Sequence, residues 1–424
     1  MRKEDPKYQA YLRILHKELI PAMGCTEPIA VAYCAAKARQ ALQTLPQSVL
    51  IEASGNIIKN VKSVVVPNTG ELHGLEAAAA AGIVAGNPDR ELQVISEVTD
   101  AQQSGIRDFL QHVPVTVRPL ETDALLDVIV TVSAGKDTAC ARITGQHNNI
   151  VFVERNGECL YRGNIIVQEE ASRDQELLTI EDIVDFANSV DIQDIQPILD
   201  LQISYNTAIS EEGLRGDYGA NIGSTLLKNG EDDIRTSAKA HAAAGSDARM
   251  SGCELPVIIN SGSGNQGIAA SVPVIEYAKR LGTKKETLYR ALVVSNLTTL
   301  RQKKEIGRLS AYCGAVNAGA GAGAGIAYLQ GGDYKTIAHT LVNALAITSG
   351  MICDGAKPSC AAKIAVAVDS GILGYQMYCN GQQFCGGDGI VAKGVENTIR
   401  NVGRLGKDGM KQTDQEILRI MTSD

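Results

Sequence analysis

The 424-residue chain has no tryptophan, and Phe, Trp and Tyr together make up only 4% of it. Aromatic rings dominate stacking surfaces, so burial here has to come from aliphatic and small residues. Excess positive charge is missing too. Lys and Arg number 40 against 48 Asp and Glu, a formal net charge of −8. A nucleic-acid surface needs a basic stripe. The densest basic run, Arg301-Gln302-Lys303-Lys304, meets Glu305 at once and reads as a solvated helix end. No stretch approaches the roughly 18 apolar residues of a membrane span. Met1 to Pro6 is charged and lacks the apolar region of a secretory leader. These absences predict a cytoplasmic chain with no nucleic-acid or membrane partner, and they leave a homo-oligomer open. The six His do not cluster and form no H-E-x-x-H pattern. No Lys stands in a motif that marks a Schiff base, so pyridoxal phosphate is not expected.

What the chain does have is 42 Gly, abundant Ala and 10 Cys. Small residues let helices approach closely. The alternating Ala-Gly run from Ala318 to Gly325 is the extreme case and predicts tight helix packing. Cysteines in a long chain without a leader are not a disulfide framework; they are reduced thiols, metal ligands or catalytic groups.

Residues 7–45 read as helical, with Tyr8, Leu12, Leu15 and Leu19 on one period. Pro21 ends that helix. A second begins near Thr26-Glu27-Pro28, with Thr26 as the expected cap. Strand-like runs follow at 49–53, 64–67, 92–98, 113–117, 126–132, 139–143 and 150–153. An Ala-rich helix fits 74–86, and turns fit 145–149 and 155–157. Residues 175–250, and nearly everything after 256, return to helical pattern. The expected fold is α+β. A mostly helical domain from residues 1–45 and 240–424 would carry the chemistry, with an inserted mixed α+β domain at 46–239.

Three groups could carry that chemistry. Cys313, Cys353 and Cys360 lie in bent, Gly-rich contexts, and Gly355 and Pro358 keep 353–360 from being one continuous helix. Such thiolates suit an iron–sulfur cluster or zinc, and inert buried thiols are the alternative. Cys25 precedes a helix start, where the helix dipole favours thiolate; a packed helix-end Cys is the alternative. Cys34 reads as core, and Cys379 and Cys385 rank below the other three late thiols. The third group is Ser261-Gly262-Ser263-Gly264-Asn265-Gln266-Gly267, between the apolar run 255–259 and the helical segment 268–281. Backbone N–H groups there would bind a carboxylate or phosphate. The same residues match G-x-G-x-x-G. A dinucleotide fold also needs a second strand ending in an acid about 20 residues on. The next strand-like run, Ala291 to Val294, ends in Ser295-Asn296.

Gly24-Cys25-Thr26-Glu27-Pro28, Ser54-Gly55-Asn56-Ile57-Ile58-Lys59-Asn60, Ser246-Asp247-Ala248-Arg249-Met250, the Ser261–Gly267 loop and the three late Cys together resemble the L-cysteine desulfidase family. That family is related to the alpha chain of iron–sulfur L-serine dehydratases. The likeness runs from about residue 20 to about residue 395. It implies a [4Fe–4S] cluster held by Cys313, Cys353 and Cys360. It also implies a role close to the reaction for Cys25, as base or occasional fourth ligand. L-cysteine is the implied substrate, with sulfide, pyruvate and ammonia as products. Ser261, Gly262, Ser263, Gly264, Asn265 and Gln266 would hold the substrate carboxylate. L-serine or another β-substituted amino acid, or an iron–sulfur sensor without turnover, are the alternatives.

Overall fold

The computed structural model describes residues 1–122, 124–164, 169–307 and 310–422. The chain opens with α1 (Pro6–Glu18), β1 (Pro21–Met23) and α2 (Thr26–Leu42). Next come β2 (Ser48–Ala53), α3 (Gly55–Val61), α4 (Gly74–Ala85) and α5 (Asp100–His112). A run of strands follows: β3 (Val115–Pro119), β4 (Asp127–Ala134), β5 (Asp137–Thr144), β6 (Ile150–Arg155) and β7 (Glu158–Arg162). After them come α6 (Glu169–Glu176), α7 (Ile180–Ser189), α8 (Ile192–Arg215), α9 (Ile222–Asn229), α10 (Ile234–Met250) and the short β8 (Pro256–Ile258). The rest is helical: α11 (Gly264–Leu281), α12 (Lys285–Ile306), α13 (Gly314–Leu329), α14 (Tyr334–Thr348), α15 (Ser359–Cys379), α16 (Val395–Arg404) and α17 (Lys411–Thr422). The fold is α+β and mostly helical, as the sequence pattern predicts.

Strands β2 to β7 form one mixed sheet in the order β3-β2-β4-β5-β6-β7, with only the β2–β3 pair parallel. Val128, Val130 and Val132 alternate along β4, and all three are buried against α2. Alanines along α2 let it lie close. At Gly82 of α4 an added Cβ would sit 2.0 Å from the Ala32 carbonyl oxygen. A second core gathers α1, α7, α8 and the helices from α10 to α16. Helix α2, expected with the helical unit, therefore packs on the sheet. Helices α7 and α8, expected with the inserted unit, pack in the helical core.

The Ala-Gly run forms α13 and serves two faces. Gly319 and Gly323 abut α15, where added Cβ atoms would stand 2.3 Å from the Ala367 carbonyl carbon and 2.5 Å from the Gly371 carbonyl oxygen. Gly321 and Gly325 abut α12 in the same way, at Thr299, Ser295 and Ala291.

Several expectations are corrected. Residues 64–67 form only an isolated bridge, Val65 to His73. The run 92–98 is no strand. Pro88–Gln93 is a 3₁₀ turn, and Leu92, Val94 and Ile95 are apolar because they plug the sheet's core. Ala291–Val294 belongs to α12, whose apolar run reflects burial on all sides. The basic run is not solvated. Arg301 is 5% exposed, paired with Glu305 and Glu396, and Lys303 is 6% exposed.

The α13 contacts give a direct stability test. Gly319→Ala and Gly323→Ala should each destabilise the protein by about 1–3 kcal/mol, the usual cost of overpacking a close contact. Thermal unfolding reads this as a lower midpoint; unchanged midpoints in both variants would contradict the packing described.

Candidate active site

The antiparallel pairing of β1 with β8, Pro21 opposite Ile258 and Met23 opposite Pro256, brings two loops side by side. The loop after β8 is a tight turn closed by two hydrogen bonds. Asn260 N donates to Ser263 O at 3.1 Å, and Ser263 N to Asn260 O at 3.0 Å. Its central residues are both left-handed, Ser261 at φ 53° and Gly262 at φ 75°. Ser263 then caps α11, accepting from Gln266 N at 3.4 Å. N–H groups in a helix's first turn have no partner within the helix. Across the turn lies Arg249, at the end of α10 and 2% exposed; its Nη1 donates to Asn265 Oδ1 at 3.2 Å. Gly264 makes room for it, since a Cβ there would meet Arg249 Nε at 2.2 Å.

A second junction assembles the late thiols. Tyr312 bridges Ile352 as an antiparallel pair, with Cys313 N donating to Met351 O at 3.0 Å and Cys353 N to Ala311 O at 2.6 Å. Cys313 and Cys353 thus stand side by side with their thiols in contact. That contact, helped by Lys59 and Lys303 and opposed by burial, holds Cys353 below the usual thiol range; the same contact and burial push Cys313 up. Cys313 occupies the cap position of α13, and Cys360 lies in the first turn of α15. Gly355, at φ +95°, presses on the chain at Lys59, where a Cβ would stand 2.3 Å from the Lys59 carbonyl oxygen. Lys59 is buried and pairs with Asp414 of α17. Asp354 binds Lys357 and, at 2.6 Å, Lys363, which ties the loop to α15.

Cys25, rather than Thr26, holds the cap position of α2. The Thr26 hydroxyl is drawn away to Gly262 O at 2.9 Å. Cys25 Sγ donates to Glu27 Oε2 at 3.1 Å, and Asn60 Nδ2 to Glu27 Oε1 at 3.2 Å. His147 Nε2 stands 4.0 Å from Glu27 Oε1 and is buried without a hydrogen-bond partner. Burial opposes ionisation of Glu27, but His147, Cys25 and Arg249 outweigh it and hold the carboxyl at about 2. The expectation that the helix dipole makes Cys25 a thiolate is corrected. Burial, with the Glu27 carboxylate beside it, pushes the thiol well up.

Cys25, Glu27, Lys59, Asn60, His147, Arg249, the Ser261 turn and the three late thiols line one cavity of about 630 Å³. Its walls carry Lys59, Arg249, Lys303, Lys304 and Lys407; among the described lining residues Glu27 is the one carboxylate. The structure brings together Cys25, Cys313, Cys353, Cys360, Ser261, Gly262, Ser263, Asn265 and Gln266. Gly264 lies beneath Arg249 instead of in the wall. Cys34 is buried in α2, and Cys379 and Cys385 are exposed and away from the cavity. The glycine pattern is not a dinucleotide fingerprint. β8 pairs antiparallel with β1 alone, and Gly267 serves helix–strand contact, its added Cβ falling 2.0 Å from Ile258 O. The three late thiols are the residues that could hold a metal group. Among the described residues, no three His, Cys, Asp or Glu side chains stand close enough to ligate a single ion. No described helix is long and apolar enough to cross a membrane.

Glu27, Lys59, Asn60, His147, Arg249 and Lys303 line the site without having been singled out by residue type. Glu27, Lys59, Asn60 and Arg249 were visible only as members of longer motifs. His147 was hidden in a hairpin turn and Lys303 in a basic run.

Residues 89–419 match the family model described as the serine dehydratase alpha chain. The chain is also 58% identical over 422 residues to a UPF0597 protein of Desulfitobacterium hafniense, covering 99% of this chain and 98% of that one. A UPF0597 protein of Lachnoclostridium phytofermentans is 49% identical over 414 residues, 98% and 99% of the two chains. One from Treponema denticola is 44% identical over the whole of both. Over most of its length, with the Arg249, Ser261-turn and late-thiol walls of its cavity inside the matched region, this chain belongs to the serine dehydratase alpha-chain family.

Proposed function

We propose that the protein is a lyase that eliminates sulfide from L-cysteine, with water, to give pyruvate, ammonia and hydrogen sulfide. We further propose that Cys313, Cys353 and Cys360 hold a [4Fe–4S] cluster. The observation that carries this reading is the meeting of three thiols with Arg249 and the Ser261 turn in one cation-rich cavity. The donor set fits the group. A cubane spreads its thiolates over separate irons, so its ligands need not converge on one point. The Cys313–Cys353 contact and the nearby lysines favour the thiolate form of Cys353 that such ligation needs. When bound with three protein ligands, the cluster offers an open iron as a Lewis acid toward the leaving sulfur.

The chain's own residues supply the rest. Arg249 and the first turn of α11 hold the substrate carboxylate, a planar anion suited to a guanidinium and free N–H groups. Fixing that end orients Cα and Cβ for reaction. Cys25 takes the Cα proton. At rest its thiol is protonated and points at Glu27 Oε2, so it must first release its own proton along that 3.1 Å contact. Glu27 Oε2 is the acceptor on that contact, and Asn60 and His147 stand at its other oxygen. Cys25, Glu27 and His147 thus act as one proton-handling unit. The family description favours L-serine as a second substrate reading. The same residues serve it, with hydroxide leaving instead of sulfide.

Protein prepared without oxygen tests the assignment. Cys313→Ser, Cys353→Ser and Cys360→Ser should each lose iron together with activity. Cys25→Ser should keep its iron and lose ~10²–10⁴-fold in rate, the usual contribution of a positioned proton acceptor. Full iron in all three late variants would remove the ligand assignment, and iron loss in Cys25→Ser as complete as theirs would make Cys25 a ligand. Arg249→Lys should raise KM while the cluster absorbance near ~400 nm stays intact, because iron–sulfur ligation does not involve it. An unchanged KM would take Arg249 out of substrate binding.

A further inference from the structure

Behind the Ser261 turn lies a chain of side-chain amides with no exposure to solvent. Gln202, Asn260 and Asn296 are each 0% exposed. Asn296 and Gln202 exchange two hydrogen bonds, Gln202 Nε2 to Asn296 Oδ1 at 3.1 Å and Asn296 Nδ2 to Gln202 Oε1 at 2.8 Å. Asn296 Nδ2 also donates to its own helix at Leu292 O, 2.9 Å away. Asn260 Nδ2 donates to Asn296 Oδ1 at 3.0 Å. The last link leaves the core, where the Ser261 hydroxyl donates to Asn260 Oδ1 at 3.0 Å.

Burying amides costs free energy unless every donor and acceptor is met. Aliphatic residues could fill the same space between α8 and α12, so packing does not explain these residues. Orientation does. Asn296 is locked from two sides and can present its oxygen to Asn260 in only one way. Asn260, held so, offers its own oxygen to the hydroxyl of a residue at φ 53°, a region where any side chain is strained.

We propose that Asn296 and Asn260 are positioning residues for substrate. The relay from α8 and α12 holds Ser261 left-handed and so aims the capping Ser263 and the first turn of α11 at the carboxylate. This rests on the reading that the turn is the carboxylate site. It assigns a role to core residues that line no part of the cavity.

The test uses the full-length, anaerobically prepared protein and L-alanine, which carries the carboxylate but no leaving group. Calorimetry of wild-type protein gives a reference Kd. Asn296→Leu should weaken L-alanine binding roughly tenfold or more and raise KM for L-cysteine in parallel, with a smaller change in kcat and unchanged iron, because a displaced turn misplaces substrate. Adding Ser261→Gly should restore part of the loss, since glycine adopts the left-handed conformation unaided. Asn343→Leu is the comparator. It removes another fully buried amide, one that bonds to Gly374 O far from the turn, and should lower the unfolding midpoint without moving Kd. Should Asn296→Leu not fold, Ser261→Ala cuts the same link from the cavity side and is read the same way.

Wild-type Kd in Asn296→Leu or Ser261→Ala would overturn the proposal. So would an equal loss in Asn343→Leu, or no rescue by glycine. Arg249→Lys and Ser263→Ala, measured alongside, separate the two failures. If they weaken binding and the relay variants do not, only the relay falls. If none of them matters, or wild-type protein does not bind L-alanine, the carboxylate reading falls and the relay with it.

Discussion

Four helix starts face one cavity, and the rest of the site depends on that convergence. Cys25 caps α2, Ser263 caps α11, Cys313 caps α13, and Cys360 lies in the first turn of α15. Each helix start turns first-turn N–H groups and the positive end of a dipole toward the cavity. Together with Arg249, Lys59 and Lys303 they make a pocket in which anions are stabilised from several sides. Thiolates and a carboxylate are the anions the proposed chemistry uses. The same field does not act alike on every group. Cys353 has a thiol partner and two lysines and is held low, whereas Cys25 is buried against a carboxylate and is held high. One cavity thereby offers an ionised and a protonated thiol at once, a division that suits the separate roles proposed for them, holding metal and moving a proton.

The convergence is possible because the helices are thin where they meet. Glycines of α13 let α12 and α15 close on it from two directions, and Gly82 does the same between α4 and α2. With few aromatic residues available, close backbone approach takes the place of large side chains in filling the interior. Short pairings then fix the loops. β1 with β8 places Cys25 beside the Ser261 turn, and the Tyr312–Ile352 bridge places Cys313 beside Cys353. Cys25 and Cys360 meet through a small cluster with Val64 and Met250, separate from the two larger cores.

Much of this was legible in the sequence. Alternation marked β4 and β5, the Ala-Gly run marked close packing, and Cys residues in bent segments marked the thiols that line the cavity. Residues whose role depends on distant partners were not legible. Lys303 reads as solvated because its neighbours are charged; only the fold shows that α12 buries it. His147 sits in a turn whose local pattern explains it fully, and its meeting with Glu27 spans the two ends of the sheet unit. The apolar runs at 92–98 and 291–294 misled for different reasons: in 92–98 a turn plugs the sheet's core with Leu92, Val94 and Ile95 at near-alternate positions, as a strand would, whereas 291–294 is buried on every side. Complete burial of 291–294 erases the periodicity that separates strand from helix.

The central claim is that the cation-rich cavity turns over L-cysteine through its thiols. Its most direct test is the time course of hydrogen sulfide and pyruvate from L-cysteine with anaerobically reconstituted protein, with iron and acid-labile sulfide assayed in the same sample. The account predicts equal amounts of both products over many turnovers, by protein carrying about four irons and four sulfides per chain, as a cubane requires. Stoichiometric zinc without acid-labile sulfide, or cluster-loaded protein that releases neither product, would contradict it.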